Sequence, residues 1–130
     1  LGFEIVGLDG RRGVLAHIHI RSPHRVGKYG VDIPAFERFL SDLAIPSDAS
    51  LVIVDEIGKM ECLSGRFRRW VQEILEGKPI LLATIALHGD AFIESLKRRE
   101  DVQLIPLTRE TRDFLLPSMV NTVRVLRTEQ

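Results

Sequence analysis

A chain of 130 residues is long enough for one domain with one core, and a composition of 45% hydrophobic and 28% charged residues is that of a soluble folded protein, not a disordered one. Lys+Arg and Asp+Glu both number 18, so the formal net charge is zero; this argues against a generic nucleic-acid binder, which needs a basic excess, and leaves room for a local anion site. The single cysteine, Cys62, excludes an internal disulfide and points to a reducing, cytoplasmic setting, while the longest apolar runs, 51–54 and 80–83, are too short to span a bilayer and no signal peptide is evident.

Alternation begins at once. Phe3, Ile5 and Gly7 share one face; after turn signals at Asp9-Gly10 and Gly13, Val14, Ala16, Ile18 and Ile20 alternate with Leu15, His17, His19 and Arg21. This predicts a β-hairpin with one apolar and one mainly polar face. Residues 22–30, with Pro23, Gly27 and Gly30, read as a loop. Asp32 and Pro34 mark a helix start. Phe36, Phe39, Leu40 and Leu43 then recur at helical spacing, and Pro46 ends the helix.

Leu51-Val52-Ile53-Val54 is a continuous aliphatic run, suited to a strand buried on both faces of a parallel sheet. Ser64 is placed to cap the next helix, whose apolar face is Phe67, Trp70, Val71, Ile74 and Leu75 and which Gly77 closes. A second buried strand is expected over 80–85, a helix over 90–99 with Phe92, Ile93 and Leu96 inward, and a third strand over 102–107. Thr108 is expected to cap a last helix, kinked or split at Pro117, whose apolar face continues through Val120, Val123 and Leu126. Strands alternating with helices predict an α/β fold with a mainly parallel sheet, forming a single domain over 1–130.

The informative segment is Asp55-Glu56-Ile57-Gly58-Lys59-Met60-Glu61, directly after the first buried run. In open α/β sheets ligands bind outside the carboxyl ends of the strands. An Asp there can hold Mg²⁺, and an adjacent Glu can orient or deprotonate a water, the two needs of phosphoryl transfer to water. The plain alternative is a core strand with polar residues at its solvated end.

The whole heptapeptide narrows the choice, because it resembles a motif of the P-loop nucleoside-triphosphatases described from thermophiles and also found in animals. Val26-Gly27-Lys28-Tyr29-Gly30-Val31, Ser64-Gly65-Arg66-Phe67-Arg68, Leu82-Ala83-Thr84-Ile85 and Leu107-Thr108-Arg109-Glu110-Thr111-Arg112-Asp113 resemble further family segments in order, with Thr111 where Asn is usual. The resemblance implies a RecA-like sheet flanked by helices, and Mg²⁺-dependent hydrolysis of ATP, GTP and other nucleoside triphosphates to diphosphate and phosphate. It implies Asp55 as the Walker-B residue on Mg²⁺, Glu56 as the water-activating carboxylate, and supporting roles for Lys59 and Glu61. The family's opening strand, its Gly-x-x-Gly-x-Gly-Lys-Thr phosphate loop and the helix that follows are absent from residues 1–130; Gly10-Arg11-Arg12-Gly13 is too short. A missing N-terminal segment of about 40 residues is therefore expected, a βαβ unit alone needing about 30. A nucleotide-dependent binding or switch module, with slow hydrolysis and nucleic acid as a conceivable partner, is the alternative reading.

Thr84, on the strand beside the Asp-Glu strand, is a candidate phosphate or water contact, or else a β-branched core residue. Arg112 is a candidate nucleotide contact, or else pairs with Glu110 or Asp113. Tyr29 and Lys28 could touch the nucleotide, although Tyr29 fits better as a packing residue under the sheet. His17 and His19 lack companions at ligand spacing and read as an exposed face. Arg66, Arg68, Arg69, Arg98 and Arg99 read as solvated helix surface, and Cys62 and Trp70 as packing residues.

Overall fold

The computed structural model describes residues 1–43 and 45–129. Strands β1 (Gly2–Val6) and β2 (Arg12–His17) form the expected antiparallel hairpin, with an irregularity between Phe3 and Glu4. The predicted faces do not hold. Leu15 and Ala16 are both buried, whereas Val14 is half exposed, because α1 (Ile33–Asp42) covers one side of β2 and the floor of a cleft covers the other. Residues 22–30 are not merely a loop. β3 (Arg25–Val26) and β4 (Tyr29–Val31) turn back about Gly27, whose φ of 58° suits glycine, and complete a four-stranded sheet in the order β1-β2-β4-β3.

Asp32 caps α1 by accepting from the Ala35 N–H at 3.0 Å. The helix ends at Asp42, four residues before Pro46. A parallel pair follows, β5 (Leu51–Ile57) with β6 (Ile80–Ile85), joined by a 3-10 turn (Glu61–Leu63) and α2 (Gly65–Glu76). The buried Ser64 caps α2, accepting from the Phe67 N–H at 3.1 Å and donating to Glu37 Oε1 of α1 at 2.8 Å. Asp90 caps α3 (Ala91–Lys97) through the Ile93 N–H at 2.9 Å. Phe36, Leu40, Phe67, Val71, Ile93 and Leu96 join Leu15, Ala16 and Val31 in one core.

Three expectations fail around the parallel pair. β5 is not buried on both faces: Val54, Leu81 and Ala83 pack on the core, but Ile53, on the opposite face, is 55% exposed. Residues 102–107 run without strand pairing, because among the described residues β6 pairs with β5 alone and 102–107 have no neighbouring strand. The last helix, α4 (Arg112–Thr128), starts at Thr111 and not at Thr108, since the two threonines close a hydrogen-bonded turn first. Pro117 lies inside α4 without splitting it. The N–H it lacks would have paired with Asp113, so the loss falls in the first turns and not mid-helix.

Candidate active site

The two adjacent carboxylates owe their placement to a bulge. Val54 lies opposite Ala83 and Ile57 opposite Ile85, so Asp55 and Glu56 together face Thr84. A bulge sets an extra residue against one partner and re-aims side chains, a device common beside active sites. Thr84 Oγ1 donates to Asp55 Oδ1 at 2.6 Å. Beyond the bulge Ile57 is buried and its carbonyl accepts from the Ala86 N–H at 3.1 Å. The Gly58 carbonyl accepts from Cys62 N–H at 3.0 Å, which starts the 3-10 turn carrying Glu61.

These residues floor a cleft of about 410 Å³. Asp55, Glu56, Lys59 and Glu61 supply its charges, with Glu4 from the hairpin; Phe3, Leu15, Met60 and Ala86 supply its apolar wall. Gly58 lets the carboxylates close in: a β-carbon there would sit 2.7 Å from Glu61 Oε2 and 3.2 Å from Glu56 Cγ. Burial raises the Glu61 carboxyl above the usual carboxylate range, and the neighbouring Glu56 and Asp55 charges push it further up. Burial likewise lifts the Cys62 thiol to about 12, consistent with an inert packing residue.

Among the described residues no group of three or more His, Cys, Asp and Glu could hold a metal ion. Asp55 with the Thr84 hydroxyl beside it suits the other mode, in which Mg²⁺ binds through one or two carboxylates, keeps several waters and takes its remaining ligands from phosphate oxygens.

The structure thus brings Asp55, Glu56, Lys59, Glu61 and Thr84 together, and leaves Arg112 outside the cleft, largely exposed at the start of α4 with Asp113 Oδ1 at 3.9 Å. Tyr29 packs edge-on against Phe3 with ring centroids 5.0 Å apart, and Lys28 Nζ stands over its ring. The rings of His17 and His19 lie 5.1 Å apart on the hairpin. Arg66 is hydrogen-bonded to Ser41, Arg68 to the Cys62 carbonyl and Arg99 to Asp101, all structural pairings. Sequence reasoning missed the apolar wall. Phe3 and Leu15 are remote in sequence from the carboxylates, and no local signal links them.

A parallel β-α-β pair with adjacent acidic residues at the strand's carboxyl end, beside a hydroxyl on the next strand, is the arrangement of a P-loop NTPase fold. A family model described as NTPase matches residues 1–120, and the chain belongs to that family. It is 38% identical to nucleoside-triphosphatase THEP1 of Thermotoga maritima, over 100% of this chain and 76% of that one. It is 34% identical to human cancer-related nucleoside-triphosphatase, over 98% and 75%. The crystal structure of THEP1 from the hyperthermophile Aquifex aeolicus superposes with a TM-score of 0.81 at 31% identity, covering 94% of this chain and 76% of that one. The chain therefore spans about three quarters of the length of the relatives it matches. Among the described residues no helix is long and apolar enough to cross a membrane.

Proposed function

We propose that this protein hydrolyses nucleoside triphosphates, ATP and GTP among them, to diphosphate and phosphate with Mg²⁺. The observation that carries the reading is the bulge at Asp55-Glu56, which sets two carboxylates against Thr84 at the open end of a parallel sheet. The names of relatives at 34 to 38% identity support it. Asp55, oriented by Thr84, would hold the Mg²⁺ that accompanies the phosphates, and the ion would neutralise charge on the transferring group. Glu56 takes the proton of the attacking water, and the cleft beside it admits that water. Lys59 and Glu61 keep supporting roles at the rim and floor, and Gly58 gives the carboxylates room. Arg112, outside the cleft, contributes only from a nucleotide that reaches α4. A buried lone cysteine fits a cytoplasmic setting.

Phosphate release by the full-length natural protein tests this. Glu56→Gln is expected to lower kcat by about 10²–10⁴-fold, the usual worth of general base catalysis, with nucleotide affinity kept within a few-fold. An unchanged kcat would remove Glu56 from the reaction.

A further inference from the structure

Two adjacent arginines stand near the turn of the hairpin, and the structure treats them differently. Arg11 is tied down. Its backbone N–H and its Nε both donate to Asp9, at 3.1 and 2.7 Å, and its guanidinium lies 5.5 Å from the centre of the Phe39 ring. The Arg12 side chain makes one contact, from Nη1 to Glu4 Oε2 at 3.1 Å. A guanidinium carries several N–H donors in a planar fork, so most of the capacity of this one is unused by the described residues.

Glu4, which holds it, also lines the cleft of Asp55 and Glu56. Among the described residues Arg12 is the one arginine ion-paired to a carboxylate of that lining. The side chains of the pair are 67% and 60% exposed, and exposed ion pairs are weak and readily exchanged. The lining itself is poorly matched to an anion. It carries the carboxylates of Glu4, Asp55, Glu56 and Glu61 against the single ammonium of Lys59. A phosphate chain entering there needs cationic donors besides Mg²⁺, and guanidinium suits phosphate because two parallel N–H donors meet two oxygens.

We infer that Arg12 contacts the terminal phosphate of the substrate, and that Glu4 is the partner it exchanges for that phosphate. The inference rests on the hydrolytic reading above, which puts the terminal phosphate at Asp55 and Glu56. Glu4 then acts as a competitor. It keeps the guanidinium at the rim of the cleft, and phosphate oxygens replace its carboxylate when Arg12 changes partner. No covalent bond forms or breaks in the exchange. A diphosphate lacks the terminal group and leaves the pair in place, so the exchange separates substrate from product.

Calorimetric titration of the full-length natural protein, with Mg²⁺ and either a non-hydrolysable ATP analogue or ADP, tests this. Arg12→Ala should weaken the analogue by about tenfold or more and ADP by less than about threefold. Glu4→Gln frees the guanidinium and should tighten the analogue by about threefold or more; that gain should vanish when Arg12→Ala is present as well, because the two residues act through one contact. Arg11→Ala should leave both affinities unchanged. A purely structural pair would not respond with opposite signs at its two ends.

Unchanged analogue affinity in Arg12→Ala overturns the inference. So does an equal loss for analogue and ADP, or a Glu4→Gln gain that persists without Arg12, which would mean plain repulsion by Glu4. If Arg12→Ala does not fold, Arg12→Gln keeps length and polarity without the charge, and the same outcomes decide. Phosphate release is followed in parallel. The Arg12 and Glu4 pattern without hydrolysis leaves the phosphate contact standing and overturns the proposed reaction; hydrolysis without the pattern does the reverse. No binding of the analogue by the unaltered protein overturns both.

Discussion

Thr84 Oγ1 lies 2.6 Å from Asp55 Oδ1, reaching from β6 across to the bulge of β5. The contact holds the carboxylate in one orientation toward the open end of the sheet. A hydrogen bond to a charged group is worth roughly 1.5–3 kcal/mol, so Thr84→Val should raise the Mg²⁺ concentration needed for half-maximal hydrolysis by about tenfold or more. Thr84→Ser keeps the hydroxyl and should restore most of the loss. A Mg²⁺ titration of the full-length natural protein checks this; equal Mg²⁺ dependence in all three forms would reduce Thr84 to a packing residue.

Gly58→Ala should separate rate from stability. The added methyl meets Glu61 Oε2, the far end of a side chain that can swing away, and then the Glu56 side chain. Thermal unfolding should change by less than about 1 kcal/mol. Turnover should fall by roughly 10²-fold, the cost of about 1 Å of misplacement at a reacting group. Loss of fold and activity together would contradict the geometry.

Glu61 gives a pH-dependent prediction. Its folded-state carboxyl is raised above the ordinary glutamate value of 4.5 by burial first and by Glu56 and Asp55 after it. Between 4.5 and that raised value the folded protein binds more protons than the unfolded one. Stability therefore falls as pH rises through that window, and the penalty is fully present above it. Glu61→Gln should raise the melting temperature at pH 7.5, and its advantage should vanish below pH 4.5. Melting curves across pH decide; a difference that does not change with pH would assign the effect to hydrogen bonding.

Ser64 joins two helices through one hydroxyl. Ser64→Ala removes the cap of α2 and leaves the Glu37 carboxylate without its donor. Loss of a cap costs about 0.5–2 kcal/mol, and the unpaired Glu37 places this variant toward the upper end. Urea unfolding should report it as a lower midpoint with an unchanged slope.

Local signals read out well wherever a segment satisfies its own backbone. The helix start at Asp32, the cap Ser64 and the stripes of α1, α2 and α3 appear where spacing places them, since helical hydrogen bonds and apolar faces are set within a few residues. That two adjacent carboxylates follow the aliphatic run 51–54 was equally legible.

Pairing was not. Residues 102–107 have the composition of a strand, yet a strand exists only beside another, and none lies there among the described residues. Short β3 and β4 exist because β2 offers an edge, although their sequence reads as loop. By itself, then, the sequence determined α1 to α3, the two parallel runs and the adjacency of the acidic pair. Only the tertiary structure decided that Asp55 meets Thr84, that burial raises the Glu61 carboxyl, and that Phe3 and Leu15 wall the cleft. Each of these depends on backbone and side chains distant in sequence meeting across a sheet, and no periodicity within one segment records that meeting.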